Sequence, residues 1–160
     1  MKRGVVLRLG AVLTTATAGL AACSAMIPVN ISGGLEQPVA TFGVDPAKPE
    51  RACVGGLAVH ELSNAMMRPV WSIEARGHDC RGLRQVVYGE TPEGFETTVE
   101  AAPLKLGARY AIVGYGLTGG PLSRVPWRGG GEVVFENGRW RPVTPQERGP
   151  RVDAGGEAPH

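Results

Sequence analysis

The stretch Gly131-Glu132-Val133-Val134-Phe135-Glu136-Asn137-Gly138-Arg139-Trp140-Arg141 decides the fold class of this chain. Asn-Gly is the dipeptide most typical of a two-residue β-hairpin turn, because both central positions of that turn need a positive φ. Residues with strand preference lie on both sides of it. The stretch therefore predicts two antiparallel strands joined at Asn137 and Gly138.

Alternation of apolar and polar residues extends this reading to the rest of the chain. Residues 95–101 and 71–75 alternate with the period of two that is typical of a half-buried strand. Residues 110–115 are apolar on both faces, which predicts a central strand. Only residues 57–67 could be read as helical. The sequence therefore predicts an all-β fold: a small antiparallel β-sandwich of immunoglobulin-like architecture, or a small barrel, with about seven strands.

Composition divides the chain into segments. Residues 38–143 are long enough for one small domain. Residues 23–37 contain Pro, Asn, Ser and Gly without a lasting period, which predicts a flexible tether. Residues 144–160 are almost without apolar side chains and are predicted to be disordered. Inside the domain, the glycine-rich residues 117–131 are predicted to form a long connecting loop.

The amino-terminal residues resemble the signal peptide of bacterial lipoproteins. Leu20-Ala21-Ala22-Cys23 has the small residues and the cysteine of a lipobox, and it follows a basic start and a short apolar run. The resemblance implies that residues 1–22 are removed and that Cys23 carries a diacylglyceryl thioether, which anchors the protein to a membrane. Ser24, in place of an aspartate, favours the outer membrane, facing the periplasm. The alternative is an ordinary secretory signal that leaves Cys23 as a free thiol.

The net charge of the chain changes when the predicted signal peptide is removed. The chain has 17 Lys and Arg against 15 Asp and Glu, and Lys2, Arg3 and Arg8 leave with the signal. The mature chain then has 14 basic residues against 15 acidic ones. Its small net charge argues against nucleic acid as a partner.

The two remaining cysteines, Cys53 and Cys80, predict a disulfide in the oxidising compartment that a lipoprotein enters. The bond closes a loop of about 27 residues and is worth roughly 3–4 kcal/mol by the chain-entropy model. Two unpaired buried thiols are the alternative.

No catalytic or metal-binding motif stands out. The chain has no His-Glu-x-x-His, Cys-x-x-Cys or Gly-x-Ser-x-Gly pattern, and neither a cofactor nor a metal is predicted. The preferred hypothesis is a non-catalytic interaction or assembly-support module of the envelope. One alternative is an envelope hydrolase that uses His60 or His78 with a nearby carboxylate. Another is a small-ligand site in the mouth of a barrel, which requires an apolar cavity.

Candidate binding residues are aromatic and basic. Tyr115, Trp127 and Trp140 could form an exposed platform for a sugar or a peptide. Arg124, Trp127 and Arg128 have the composition of a binding hot spot and fall in the predicted loop, where recognition residues commonly lie. The expected partner is an envelope protein or a glycan. The alternative is that Trp127 caps the core.

Overall fold

The computed structural model describes residues 25–45, 47–48, 50–63, 66–77, 80–118 and 124–148. Over these residues the chain forms strands and no helix, which confirms the predicted all-β class. The strands are β1 (Ala25–Met26), β2 (Val29–Gly33), β3 (Pro38–Phe42), β4 (Ala52–Ser63), β5 (Met66–Ala75), β6 (Arg81–Leu83), β7 (Gln85–Val87), β8 (Phe95–Val99), β9 (Arg109–Thr118), β10 (Val125–Glu136) and β11 (Arg139–Pro142). In this part of the chain no helix is long and apolar enough to cross a membrane.

The strands form two sheets that pack as a sandwich. The large sheet has the order β1-β10-β9-β4-β5-β8, with β11 beside β10 and β6 beside β4. The small sheet has the order β2-β3-β7 and covers one face of the large one. Over the described residues the two sheets do not close into a barrel. The described residues contain more than the seven strands expected, because pieces such as β1 and β6 are too short to show a period. The immunoglobulin-like arrangement stays a prediction.

The hairpin that the sequence predicted is present. β10 pairs antiparallel with β11, and Glu136 lies opposite Arg139 across the turn. Asn137 and Gly138 have φ values of 51° and 74°, as a tight hairpin turn requires. The prediction that residues 110–115 lie in a central strand is also confirmed, since β9 has β10 on one side and β4 on the other.

The core lies between the two sheets. Its largest fully buried side chains include Trp71, Trp127, Tyr110, Phe42 and Phe95. Full burial of an aliphatic or phenyl side chain stabilises a fold by about 1.5–3 kcal/mol. Tyr88 adds a polar contact at the edge: its hydroxyl donates a hydrogen bond to the Ala102 carbonyl, 2.6 Å away. Burial raises the pKa of this phenol to about 12.

The prediction of a flexible tether over residues 23–37 is wrong for most of that segment. β1 pairs in parallel with β10, and β2 pairs antiparallel with β3. Ile27, Val29 and Ile31 are partly buried against the core. These apolar side chains are too few to give a period along the sequence, yet they fill the edge of the sandwich. Cys23 lies outside the described residues.

The prediction of a loop over residues 117–131 is also wrong. Leu117 and Thr118 end β9, and residues 125–131 belong to β10, paired with β9 through the glycines. The glycines allow backbones to approach closely: a Cβ atom on Gly129 would collide with the carbonyl of Ile27, and one on Gly130 with the carbonyl of Ile112. Residues 119–123 lie outside the described part.

The ordered chain extends past the predicted boundary at residue 143. Val143 is buried, and the Glu147 carboxylate accepts hydrogen bonds from the Arg141 guanidinium at 2.7 Å and from the Thr144 amide at 2.7 Å. These contacts hold the pKa of Glu147 far below its usual range, at about 2. Residues 144–148 are therefore part of the domain, contrary to the predicted disorder. Residues 149–160 lie outside the described residues.

Candidate functional site

Trp127, the centre of the predicted hot spot, is a core residue. Its side chain is completely buried, its indole N–H donates to the Cys53 carbonyl at 3.0 Å, and its ring meets Phe42 edge-on at 6.0 Å. Arg128 follows it in β10 and points to the opposite face of the sheet. Arg124 precedes the strand and is exposed. The three residues therefore do not form one site. The position of Trp127 agrees with the alternative prediction, in which this residue belongs to the core.

Trp140 is likewise unavailable as a platform. It is partly buried against the core and meets Phe135 at 5.2 Å and Tyr110 at 6.1 Å between ring centroids. Of the three aromatic residues predicted as a platform, only Tyr115 is on an open surface, with 41% of its area exposed.

Tyr115 lies in a row of residues that crosses six strands. Neighbours along this row are directly opposite each other in the pairing of adjacent strands. All of them are on the face of the large sheet that the small sheet leaves uncovered, since the alternate residues, such as Trp127 and Leu57, are in the core. We call this set the Tyr115 row: in order, Met26, Arg128, Tyr115, Gly56, Glu74 and Glu96.

The Tyr115 ring lies across two glycines of β4. A Cβ atom on Gly56 would be 2.6 Å from the phenol oxygen, and one on Gly55 would be 3.2 Å from the ring edge. The glycines therefore let the ring lie down on the backbone, with its other face toward solvent. Burial is the main reason that the pKa of Tyr115 is raised. The negative charge of the nearby Glu74 carboxylate and a hydrogen bond to it raise this pKa further.

A second row lies beside the first and is made of small residues. Gly130 is opposite Val113, Val113 is opposite Ala58, and Ala58 is opposite Ser72. Val113 is 37% exposed. We call the two rows together the open face. Its centre is apolar and protrudes little from the sheet, with basic Arg128 on one side and acidic Glu74 and Glu96 on the other.

The carboxyl-terminal segment bounds the open face at one end. The Arg109 guanidinium donates to the Glu147 carbonyl at 2.8 Å, and Arg148 lies 3.8 Å from the Glu132 carboxylate. Ala111, two residues before Val113 on the same side of β9, is only 8% exposed. The open face therefore ends where residues 143–148 begin to cover the sheet.

The cavities differ between the two faces of the large sheet. Between the sheets, an apolar cavity of about 20 Å³ beside Trp71 and Tyr88 has room for roughly one water molecule. It is too small for the apolar ligand considered for a barrel mouth. On the open face, a shallow pocket of about 300 Å³ lies between Tyr115, Glu74 and Cys80.

His60, one of the two candidate catalytic histidines, is on β4 opposite Pro69 and Ala111. Its Nδ1 atom is buried and has no hydrogen-bond partner among the described residues. Within the same residues no carboxylate is hydrogen-bonded to His60, and no three His, Cys, Asp or Glu side chains converge as a metal site requires. His78 lies outside the described residues.

The predicted disulfide is present. Cys53 in β4 and Cys80 are bonded, with their Cα atoms 5.1 Å apart. The bond ties β4 to the start of β6, its antiparallel neighbour. It also forms part of the wall of the shallow pocket beside Tyr115.

The acidic part of the open face was not identified as a site from the sequence. Alternation alone places Glu74 and Glu96 on solvent-facing sides of their strands, but their position beside Tyr115 depends on the strand order and register. Comparison with protein-family models, with curated proteins and with solved structures finds nothing that matches this chain.

Proposed function

We propose that this protein is a lipoprotein of the bacterial cell envelope, anchored through Cys23 to the outer membrane and facing the periplasm. Its β-sandwich is a non-catalytic interaction or assembly-support module. The lipobox-like Leu20-Ala21-Ala22-Cys23 and the following Ser24 support the anchor. Multiple acyl chains are needed for stable attachment, and the lipoprotein modification supplies them.

The observation that carries the interaction role is the open face. It presents Met26, Val113 and Tyr115, which are 80%, 37% and 41% exposed, on a rigid sheet. Exposed apolar side chains gathered on one surface and rimmed by charges are typical of protein interfaces. Tyr and Arg are also the residue types enriched in binding hot spots, and Arg128 is directly opposite Tyr115.

The start of β1 sets the distance between the domain and the membrane. Only Ser24 separates Cys23 from Ala25, and two extended residues span at most about 7 Å. The anchored domain therefore lies against the headgroups, with the end of the large sheet at which β1 begins nearest the bilayer. Such close attachment holds the open face in a fixed orientation for partners in the same membrane.

A glycan is the second candidate for the occupant of the open face. The Tyr115 ring exposes one flat side next to a pocket of about 300 Å³ that also contains Glu74. This volume is at the lower end of small-molecule sites. A sugar ring could stack on the phenol and donate hydroxyl hydrogen bonds to the carboxylate.

The anchor is tested by labelling cells with a fatty acid. Because the thioether needs the thiol, Cys23→Ala should abolish label and leave the chain unprocessed or released from membranes. Cys53→Ser is the matched control, since it also removes one cysteine and should keep the label. Label retained by Cys23→Ala at the wild-type level would contradict the proposed anchor.

The interaction role is tested with a photo-crosslinking residue introduced at Val113 in cells. The expected result is discrete adducts that a second substitution, Tyr115→Ala, reduces at least tenfold. A crosslinker at Leu106, which is 71% exposed but away from the open face, is the control. Equal, diffuse adducts from both positions would show that the open face binds no specific partner.

A further inference from the structure

We propose that the open face binds a second copy of this chain in a face-to-face dimer with twofold symmetry. The inference rests on the proposed function, and it names the partner of the same surface. It starts from the charge order along the Tyr115 row. Arg128 is the second residue of the row and Glu74 is the fifth, with Tyr115 and Gly56 between them.

This order is self-complementary. A twofold axis in the interface, parallel to the strands and between β9 and β4, reverses the order of the strands in the second copy. Arg128 then lies opposite Glu74 of the second copy, and Glu74 lies opposite its Arg128. One symmetric interface therefore contains two such pairs.

The charges also exclude the other simple axis. A twofold axis along the row, across the strands, would place Arg128 opposite Arg128 and Glu74 opposite Glu74. Like charges facing each other across an interface strongly disfavour association. Within the part of the chain that the structure describes, neither Arg128 nor Glu74 forms an ion pair, so both charges can take a partner across the interface.

The shape of the open face fits this arrangement. Because the Tyr115 ring lies over Gly56, it extends from β9 toward the axis, where it meets the Tyr115 ring of the second copy. In the second row, Val113 lies opposite Ala58 of the second copy. The two rings thus lie in the space over the glycines, and Val113 faces a small side chain, which lets the two sheets approach closely.

The size of the face predicts a reversible dimer. Six strands about 4.8 Å apart give a width of about 24 Å, and two rows about 6.8 Å apart, with half that spacing on each side, give a height of about 14 Å. This is about 340 Å² on each copy, or about 700 Å² in total, which is the size of a weak, transient interface. Attachment of both copies to one membrane would raise their effective concentration.

The same axis suits two anchored chains. An axis parallel to the strands keeps the beginning of β1 at the same end of both copies. Both Cys23 residues can therefore reach one bilayer. The proposed anchor is therefore compatible with the axis that the charge order selects.

The test uses the mature chain from Ser24 to His160, without lipid, in sedimentation velocity across a concentration series up to about 1 mM. The wild type should shift from monomer to dimer. Arg128→Glu and Glu74→Arg should each be monomeric, because each creates two like-charge contacts. An equal mixture of the two variants should dimerise again, since every basic residue then faces an acidic one.

Arg139→Glu and Glu90→Arg are the controls, because both positions are exposed and lie away from the open face. Each control should dimerise as the wild type does, and mixing the two controls should not increase the fraction of dimer. A wild type that is monomeric throughout, or single variants that dimerise normally, would overturn the dimer. If the dimer is overturned, the crosslinker at Val113 decides the proposed function separately. Adducts to another envelope component, reduced by Tyr115→Ala, would still support the interaction role. The absence of such adducts would overturn the dimer and the interaction role together.

Discussion

Two aromatic residues cover glycines on opposite faces of the same patch of sheet. Trp127 packs over Gly114 and Gly116 on the inner face, where Cβ atoms would be 3.2 Å and 2.8 Å from its ring. Tyr115, which stands between those two glycines in β9, covers Gly55 and Gly56 on the outer face. Glycine weakens a strand because it has no side chain to pack. A ring that covers the gap restores the packing, and the close approach needs the glycine.

Trp127 therefore stabilises the domain, and its substitution tests this. Trp127→Ala should lower the free energy of unfolding by about 3–5 kcal/mol, because it leaves a large cavity in the core and an unpaired Cys53 carbonyl. Arg128→Ala, at the exposed neighbour, should change it by less than about 0.5 kcal/mol. Urea unfolding followed by circular dichroism measures both. An unchanged midpoint for Trp127→Ala would contradict the core role and would favour the hot-spot role that the sequence predicted.

At the scale of elements, the sequence predicts those strands whose signal is local. The Asn137-Gly138 turn, the alternation in β8 and the two apolar faces of β9 are contained in a few neighbouring residues each. β1 and β10 have no such signal. β1 has two residues and pairs in parallel with a strand about 100 residues away, and the glycines of β10 indicate a loop unless the neighbouring backbones are known. Those glycines are required by close contacts with strands that are distant in sequence, and a local sequence pattern does not reveal such contacts.

The candidate site was predicted only in part, because it depends on register. Alternation shows that Glu74 faces outward, whereas residues 110–115 are apolar on both faces, and Tyr115 could be predicted only as a possible member of an exposed platform. The meeting of Tyr115 with Glu74 depends on the pairing of β4 with β9, which is irregular between Val54 and Gly56, and on the pairing of β4 with β5, which is irregular between Val59 and His60. A slip of one residue moves a strand's side chains to the other face. The Cys53–Cys80 bond could be predicted, in contrast, because residues 38–143 contain no other cysteine to pair.

At the scale of the whole molecule, the domain is longer at both ends than composition suggested. Residues 25–37 add β1 and β2, and the Trp140 indole N–H donates to the Gly34 carbonyl at 3.4 Å. Residues 144–148 add the contacts of Glu147 with Arg141. Both extensions use polar or isolated apolar residues that resemble linkers in the sequence. They cover edges of the sandwich that would otherwise be open to water.

Trimming the chain tests these boundaries. A chain of residues 25–148 should unfold cooperatively with the same midpoint as a chain of residues 24–160, since it keeps every described residue. A chain of residues 38–143 should lose at least about 3 kcal/mol, because it exposes the core surface under Ile27, Val29 and Ile31. Chains of 25–143 and 38–148 separate the two ends, and the larger loss belongs to the amino-terminal one, which removes two strands. Urea unfolding gives all four free energies. Equal stability of 38–143 and 25–148 would mean that residues 25–37 are a tether after all.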